Sequence, residues 1–261
     1  MVSRSLRGIL LAFWMVALQV NALTPEWMTA AQARGRLVTQ CTVPGTVGMT
    51  FDDGPHVYTK EIVDLLKSYN ATATFFLAGS NYDCIYSEAA VSRVKYAYDS
   101  GMHLASHAWS HGNLAEMDPP AIHDEMYRIE PRNPTEALLK IVGVSPAFMR
   151  PPYGSYNQYV LDAAYLRGQA VVLWDFDSGD STGATPDDSI RSYEDSIRKR
   201  PSTILALNHD TYESTAHQVI PDVLPNLKAA GYQIVDVAAC LGQVKYQEVG
   251  EPSPRDSTWH C

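Results

Sequence analysis

Short apolar runs alternate with amphipathic helical stretches along most of this 261-residue chain. This alternation is the pattern of parallel β/α units, and it restricts the fold to a barrel or a wide doubly wound sheet. The strand-like runs are seven: 46–51, 73–78, 103–106, 146–149, 170–176, 203–207 and 233–237. The helical stretches are 58–69, 87–99, 119–142, 156–167, 187–199 and 215–230.

The polar residues at the strand ends distinguish the two folds. Side chains that can act as acids, bases or metal ligands lie at or just after the carboxyl ends of five different predicted strands. In a parallel barrel those ends converge on one face, whereas an open sheet gathers ligands at one switch point. The sequence therefore predicts a distorted (β/α) barrel of about seven parallel strands. The five positions are Asp52 with Asp53, His107, Arg150, Asp177 and His209.

The stretch TFDDGP, at residues 50–55, sets Asp52 beside Asp53 where a strand ends. Neighbouring residues on a strand point to opposite faces, so the Gly54-Pro55 corner must end the strand if both carboxylates are to face one centre. Two close carboxylates raise each other's pKa unless a cation lies beside them. This pair therefore predicts either a protonated aspartate or a bound cation.

The stretch SHAWSH, at residues 106–111, supplies candidate ligands for such a cation. If a helical turn follows Ser106, His107 and His111 lie on the same face, four residues apart. Two histidines at this spacing also occur as a surface or packing pair. Together with Asp53, however, they make a three-ligand zinc site with a fourth position open, as in catalytic zinc sites.

Three further stretches bring polar groups to the same face. In RPPYG, Arg150 can hold a carboxylate in its ionised form and the backbone N–H of Tyr153 can serve an oxyanion. WDFDSGD, which begins at Trp174, offers Asp177 and Asp180, either of which could orient an imidazole. LALNHD delivers His209 as a candidate general acid or base.

The amino terminus predicts a secretory signal at residues 1–22, leaving a single domain at 23–261. Arg4 and Arg7 precede an apolar run at 9–20, and small residues follow at the cleavage position. A membrane anchor is the alternative, but the run is shorter than the roughly 20 residues of a spanning helix. Cleavage takes the formal net charge from −9 to −11, which argues against nucleic acid or an anionic membrane as a partner.

Four cysteines fit an oxidising compartment and are too widely spaced for a zinc ribbon. Cys41 precedes the first predicted strand and Cys240 follows the last, so a bridge between them would tie the ends of the fold together. Cys84 would then pair with Cys261, although four cysteines permit three pairings. The sequon at Asn70 is available for N-glycosylation, and helix-breaking Pro131 and Pro134 interrupt the third helical stretch.

These five stretches, in this order, resemble the polysaccharide deacetylases of carbohydrate esterase family 4, the NodB homology domain. The resemblance covers roughly residues 46–237 and is greatest to secreted fungal chitin deacetylases. It implies a distorted barrel, one divalent metal ion (Zn²⁺, with Co²⁺ as the alternative), chitin or chitooligosaccharide as substrate, and an extracellular or cell-wall location. We expect a monomer.

The resemblance also implies a role for each site residue. Asp52 would be the general base, and the metal ligands would be Asp53, His107 and His111. His209 would be the general acid. The supporting residues are Arg150, which holds Asp52; Asp180, which orients His209; Tyr153, whose amide binds the oxyanion; and Leu207, which lines the acetyl pocket. Ser181 stands where the family usually has an aromatic residue, so the aromatic wall would come from Trp174.

Three other functions are compatible with the sequence. The chain could remove O-acetyl groups from acetylxylan, deacetylate peptidoglycan, or bind carbohydrate without catalysis. The last is disfavoured because each motif retains its chemical residue. A glycosidase is excluded, because its two carboxylates flank a bond at roughly 5–10 Å and sequence neighbours cannot straddle it. The loops at 81–87 and 179–186 are expected to set the subsite specificity.

Overall fold

A computed structural model describes residues 36–129 and 137–261 of the chain. The predicted signal segment, Pro131 and Pro134 lie outside the described residues. The strands are β1 (Leu37–Val38), β2 (Thr46–Asp52), β3 (Thr74–Leu77), β4 (His103–Ser106), β5 (Val144–Pro146), β6 (Phe148–Met149), β7 (Ala170–Val172), β8 (Phe176–Asp177), β9 (Thr203–His209), β10 (Gln233–Val235) and β11 (Tyr246–Val249). The α-helices are α1 (Thr59–Ser68), α2 (Glu88–Asp99), α3 (Pro119–Tyr127), α4 (Ala137–Val142), α5 (Gln158–Leu166), α6 (Pro186–Lys199), α7 (Ile220–Ala229) and α8 (Val237–Leu241).

Nine of these strands form one parallel sheet. Its path runs β1-β7-β6-β4-β3-β2-β9-β8, and β10 also pairs with β2. All seven residues of β2 are buried, as expected for a central strand with both faces covered. Since most consecutive strands of the sheet are joined through helices and the sheet curls into a half-barrel, the predicted distorted (β/α) barrel is confirmed.

The predicted strand at 170–176 is divided between the two sides of this sheet. Its first part, β7, lies between β1 and β6 near one edge, and its second part, β8, pairs with β9 at the other edge. Residues 173–175 therefore cross the opening of the half-barrel. The amide of Leu173 donates to Val38, and that of Asp175 donates to Leu205. We call residues 173–175 the seam.

The two faces of the sheet bury different apolar clusters. Phe51 and Phe75 stack with ring centroids 5.2 Å apart in the cluster beneath the helices. Phe76 and Phe148 belong to the cluster on the other face, together with the Cys41–Cys240 disulfide. This alternation along β3 follows from the two-residue period of a strand.

The C-terminal segment returns across the fold and is held at several places. β11 pairs antiparallel with β5, a contact that the sequence patterns did not predict. Both expected disulfides, Cys41–Cys240 and Cys84–Cys261, are present. Among the described residues, no helix combines the length and the apolarity that crossing a membrane requires.

Candidate active site

A cleft of about 500 Å³ opens at the carboxyl ends of the parallel strands. It gathers side chains from the loops after β2, β4, β6, β8 and β9, as the strand-end argument predicts. Asn81, Tyr82, Thr182 and Tyr212 also line it, and the sequence motifs did not identify these four. The two loops expected to set the subsite specificity, at 81–87 and 179–186, supply Asn81, Tyr82 and Thr182. The predicted site residues that line it are Asp52, Asp53, His107, His111, Tyr153, Trp174, Leu207 and His209.

Asp52 and Asp53 face the same centre because the backbone changes conformation between them. Asp52 is the last residue of β2, whereas Asp53 has a φ of 74° in the left-handed region. A non-glycine residue rarely adopts that region, and it turns the second side chain back toward the first. His107 Nε2 consequently lies 3.8 Å from Asp52 Oδ2 and 3.4 Å from Asp53 Oδ1.

Arg150 is fully buried and satisfies its guanidinium by contacts on both sides of the half-barrel. Its Nη1 donates to Asp52 Oδ1 at 2.8 Å and to Thr50 Oγ1 at 2.7 Å. Its Nε and Nη2 donate to the carbonyl oxygens of Val172 and Leu173, at 3.1 and 2.9 Å. Asp52 is therefore held by a charge-assisted hydrogen bond from a fully buried guanidinium.

His107 and His111 lie together, but no helical turn joins them, so that prediction is wrong. The turn at 108–111 is irregular, with positive φ at Ala108 (61°) and at His111 (57°). The two ring centroids are nevertheless 5.1 Å apart. His107 Nδ1 lies 2.8 Å from the carbonyl oxygen of Arg150. A carbonyl only accepts, so Nδ1 carries a proton and Nε2 is the ring nitrogen left to act as a metal ligand.

Asp53, His107 and His111 bring one ligand atom each to within 4.8 Å of one another. Asp53 Oδ1 is 2.9 Å from His111 Nε2, yet this buried oxygen makes no well-aligned hydrogen bond. Burial opposes ionisation of Asp53, but the two imidazoles hold its pKa well below the ordinary value. Ligand atoms this close together, with Asp53 Oδ1 hydrogen-bonded to neither imidazole, fit a metal ion. One carboxylate and two imidazoles suit Zn²⁺ or a similar cation.

His209 is oriented by Asp180. Its Nδ1 donates to Asp180 Oδ1 at 2.7 Å and its backbone amide donates to Oδ2 at 2.8 Å. Thr215 also donates to Oδ2, at 2.8 Å. Burial would lower the pKa of His209, but the hydrogen bond and charge of Asp180, with the charges of Asp52 and Asp53, raise it to about 9. The imidazole is therefore protonated at neutral pH.

Asp177 does not contact His209. Its Oδ1 accepts from the backbone amide of Gly179 at 2.8 Å, and the residue is exposed at the edge of the cleft. Of the two acids left open by the sequence, Asp180 is thus the partner of His209. Thr215, the third contact of Asp180, begins a π-helical turn at 215–219 that no sequence pattern indicated.

Three of the predicted residues give the lining of the cleft apolar surface. Tyr153 is 69% exposed, has a φ of 61°, and sets its ring edge-on to His111 with centroids 4.7 Å apart. Trp174 lies at the seam, and its ring packs so closely on Gly154 that a Cβ there would be 2.7 Å from it. Leu207 is the third of these residues, and Tyr82 and Tyr212 also contribute aromatic surface.

A larger cleft, of about 780 Å³, lies at the opposite ends of the strands, near Gly45, Ser202 and Tyr232. It contains none of the predicted site residues. The charged and strained groups are concentrated in the smaller cleft, which we therefore take as the candidate active site.

The curled sheet and the cluster at its carboxyl edge define a distorted (β/α) barrel with a candidate metal-binding cleft. Residues 39–172 match the family described as polysaccharide deacetylase. A chitin deacetylase from Pestalotiopsis sp is 36% identical over 212 residues, which cover 80% of this chain and 67% of the relative. This chain belongs to the polysaccharide deacetylase family, carbohydrate esterase family 4.

Two further comparisons agree with that assignment. A probable peptidoglycan-N-acetylglucosamine deacetylase from Arthroderma benhamiae is 32% identical over 222 residues. That alignment covers 84% of this chain but only 49% of the relative. The structure of the chitin deacetylase from Colletotrichum lindemuthianum superposes with a TM-score of 0.75 at 27% identity, covering 82% of this chain and 96% of that one.

Proposed function

We propose that this chain hydrolyses the N-acetyl groups of N-acetylglucosamine units in chitin or chitooligosaccharides, releasing acetate and leaving free amines. One observation carries the proposal. A candidate cation-binding triad, an arginine-paired aspartate and an aspartate-oriented histidine share one cleft. These are the parts that amide hydrolysis needs: an electrophile, a base and an acid.

Asp53, His107 and His111 would hold one divalent cation, with Zn²⁺ proposed and Co²⁺ as the alternative. When bound, such an ion supplies Lewis acidity at this position. His107 is ready for this task because the Arg150 carbonyl fixes its proton on Nδ1.

Asp52 would act as the base. It accepts a proton from the water that attacks the acetamide carbonyl carbon, while the hydrogen bond from Arg150 holds the carboxylate in position. The backbone N–H of Tyr153 would donate to the oxyanion that forms, a contribution of about 3 kcal/mol for donors of this kind.

His209 would be the acid. Amines leave poorly unless they are protonated, so the C–N bond breaks as the imidazolium gives its Nε2 proton to the nitrogen. Asp180 holds Nδ1, which directs the other nitrogen toward the cleft. The charge that this transfer requires is present at neutral pH, because the pKa of His209 is raised to about 9.

The apolar lining supports an acetyl group as the substituent removed. Leu207 would contact the acetyl methyl, and Trp174 would form the wall next to Ser181. The net negative charge of the chain is compatible with a neutral polysaccharide and with its cationic product. The two chitin deacetylases described above support chitin as the polymer.

We further propose that residues 1–22 direct secretion, that residues 23–261 form a single, monomeric catalytic domain, and that the protein acts outside the cell or in the cell wall. The two disulfides support an oxidising environment. Asn70 is exposed at the end of α1 and is proposed to carry an N-glycan.

Acetate release from chitooligosaccharides, acetylxylan and peptidoglycan tests the proposal. We expect release from chitooligosaccharides above the other two, its loss on prolonged chelation, and its recovery with added Zn²⁺. Acetate from acetylxylan alone would identify an O-deacetylase, and acetate mainly from peptidoglycan would change the polymer. Binding of oligosaccharide with no release from any polymer would indicate a non-catalytic carbohydrate-binding protein.

A further inference from the structure

The turn that joins the two candidate metal-binding histidines has a backbone conformation that its own residues do not favour. Ala108 and His111 both adopt positive φ, and neither is glycine. L-residues rarely occupy this region unless the surrounding structure imposes it. The cause of the turn's conformation must therefore be sought in the segments packed against it.

Glu125, on α3, contacts this turn with both carboxylate oxygens. Its Oε2 accepts the backbone amides of Trp109 and Ser110, at 3.1 and 2.8 Å. Its Oε1 accepts the Ser110 hydroxyl at 2.7 Å. Two successive amides that converge on one anion form a small anion-binding concavity, and each bond is strengthened by the charge of the acceptor.

The other side of the turn is held by the chain after β3. The amides of Gly79 and Ser80 donate to the carbonyl oxygens of Ala108 and Trp109, at 3.3 and 2.7 Å. The Trp109 ring fills the space left by the missing Cβ of Gly79. Two amides and two carbonyls of residues 108–110 are thus bonded to groups outside the turn, and Glu125 alone accepts both amides.

We propose that Glu125 is a positioning residue for the candidate metal centre. Its carboxylate bonds to the turn and not to either imidazole ring, and it fixes the turn in which His107 and His111 approach Asp53. This role rests on the proposed function, since it presupposes that the three ligands hold a cation. Because the hydrogen bonds do the positioning, glutamine can replace glutamate: its amide oxygen accepts the two N–H groups and its NH₂ faces the Ser110 hydroxyl.

Metal titration of the purified metal-free protein tests the role without relying on activity. The Kd for Zn²⁺ is measured by competition with a chromogenic chelator, and Co²⁺ absorption reports the ligand geometry. We expect Glu125→Ala to weaken Zn²⁺ binding by about 10- to 100-fold, the usual cost of losing a residue that orients ligands. Glu125→Gln should remain close to wild type. Asp124→Ala, an exposed carboxylate on the same helix, serves as the matched control and should stay within about twofold.

Thermal unfolding of the same metal-free samples separates positioning from general stability. An E125A protein with a lowered Tm and an unchanged Kd would overturn the role, and so would an E125Q protein that binds as weakly as E125A. If E125A does not fold, Glu125→Asp replaces it; this variant keeps the charge but shortens the reach, so it should bind more weakly than E125Q, and the reverse order would overturn the role. Failure of the wild-type protein to bind either ion would overturn the proposed metal site as well.

Discussion

Asp52 and Asp53 are neighbours in sequence but contact different partners. Asp52 lies on the extended end of β2 and pairs with Arg150. Asp53 lies in the left-handed region and faces His107 and His111. A change of backbone conformation at a single residue therefore separates a carboxylate paired with an arginine from one paired with imidazoles. Substitutions at the two positions should have separable effects.

Asp52→Asn should bind Zn²⁺ like the wild type but lose turnover by about 10²- to 10⁴-fold, the contribution of a general base. Asp53→Asn should lose both turnover and metal, because a carboxylate ligand is replaced by a neutral amide. Acetate release and metal content of the same preparations are the measurements. If Asp52→Asn deacetylated at the wild-type rate, the base would have to be another group.

Asp180→Asn should move the alkaline limb of the pH profile of kcat/KM to lower pH. His209 must be protonated to act as the acid, so activity is lost as the pH rises through its pKa, which is raised to about 9. Removing the charge of Asp180 should lower that pKa by about 1 unit or more. An unchanged limb together with a reduced rate would indicate that Asp180 orients the ring without tuning its charge.

Position at a strand end was enough to select residues that lie together in the cleft, because parallel strands deliver their ends to one edge. The histidine turn was different. The four-residue spacing of His107 and His111 correctly predicted that the two rings lie together, but it wrongly predicted a helical turn between them. Contacts from Glu125 and from the chain at Gly79 determine the backbone conformation of this turn. Neither contact has a local signal, and the same holds for Thr215 on Asp180. Such partners come from packing between distant segments.

At the scale of elements, Arg150 connects the seam, residues 173–175, to the central strand β2. This side chain, which follows β6, reaches Asp52 on β2 and the carbonyls of Val172 and Leu173 where β7 ends. It thus joins the central strand to the segment that crosses the half-barrel opening. The same contacts that position the candidate base also hold the chain that carries Trp174 into the cleft.

Arg150→Met should lower the free energy of unfolding by about 3–5 kcal/mol, because it leaves a buried carboxylate without its charged partner. Urea denaturation measures the loss. Arg191→Met is the control: Arg191 makes an exposed ion pair with Asp188 on α6 and should change stability by less than about 1 kcal/mol. Equal losses in the two variants would show that the buried ion pair contributes no more to the free energy of unfolding than the exposed one.

Most helices and strands could be predicted from the sequence. The prediction failed for strands that pair over only a few residues or whose residues are divided between two partner strands. The central strand and the helices match closely, because their apolar periodicity spans several turns or residues. The run at 170–176 is apolar except for Asp175, so its pattern does not mark the bend between β7, near one edge of the sheet, and β8 at the other edge. β1 has two residues, and β11 belongs to a tail that is polar in sequence. Neither produces a readable period.

At the scale of the whole molecule, one buried polar network ties the C-terminal segment to the sheet. His103 Nδ1 lies 2.9 Å from Thr74 Oγ1, and its Nε2 lies 3.1 Å from the carbonyl oxygen of Lys245. Lys245 Nζ contacts Asp236 Oδ2 at 3.0 Å. The strands β3 and β4 and the chain before β11 therefore share one hydrogen-bonded cluster, in which His103 is completely buried.

This network should make stability depend on pH. Burial lowers the pKa of His103 to about 4, although the charge of Asp236 opposes the shift. Between about pH 4 and the ordinary value of 6.5, the unfolded chain binds a proton that the folded protein does not. Stability from this group is therefore complete above pH 6.5 and is lost as the pH falls toward 4. The advantage of the wild type over His103→Gln should shrink by on the order of 3 kcal/mol across that window.

The difference between the two proteins must be measured, because another buried group titrates in the opposite direction. Burial, with the charge of Asp53, raises the pKa of Asp210 to about 7, although its hydrogen bond from Thr59 opposes the shift. Over nearly the same pH window, the folded protein thus holds a proton at Asp210 that the unfolded chain has lost. In the wild type, this effect on the free energy of unfolding largely cancels the pH dependence that comes from His103. Asp210 is common to both proteins and drops out of the difference. Urea denaturation at several pH values between 4 and 7 gives the two curves, and parallel curves would contradict the assignment to His103.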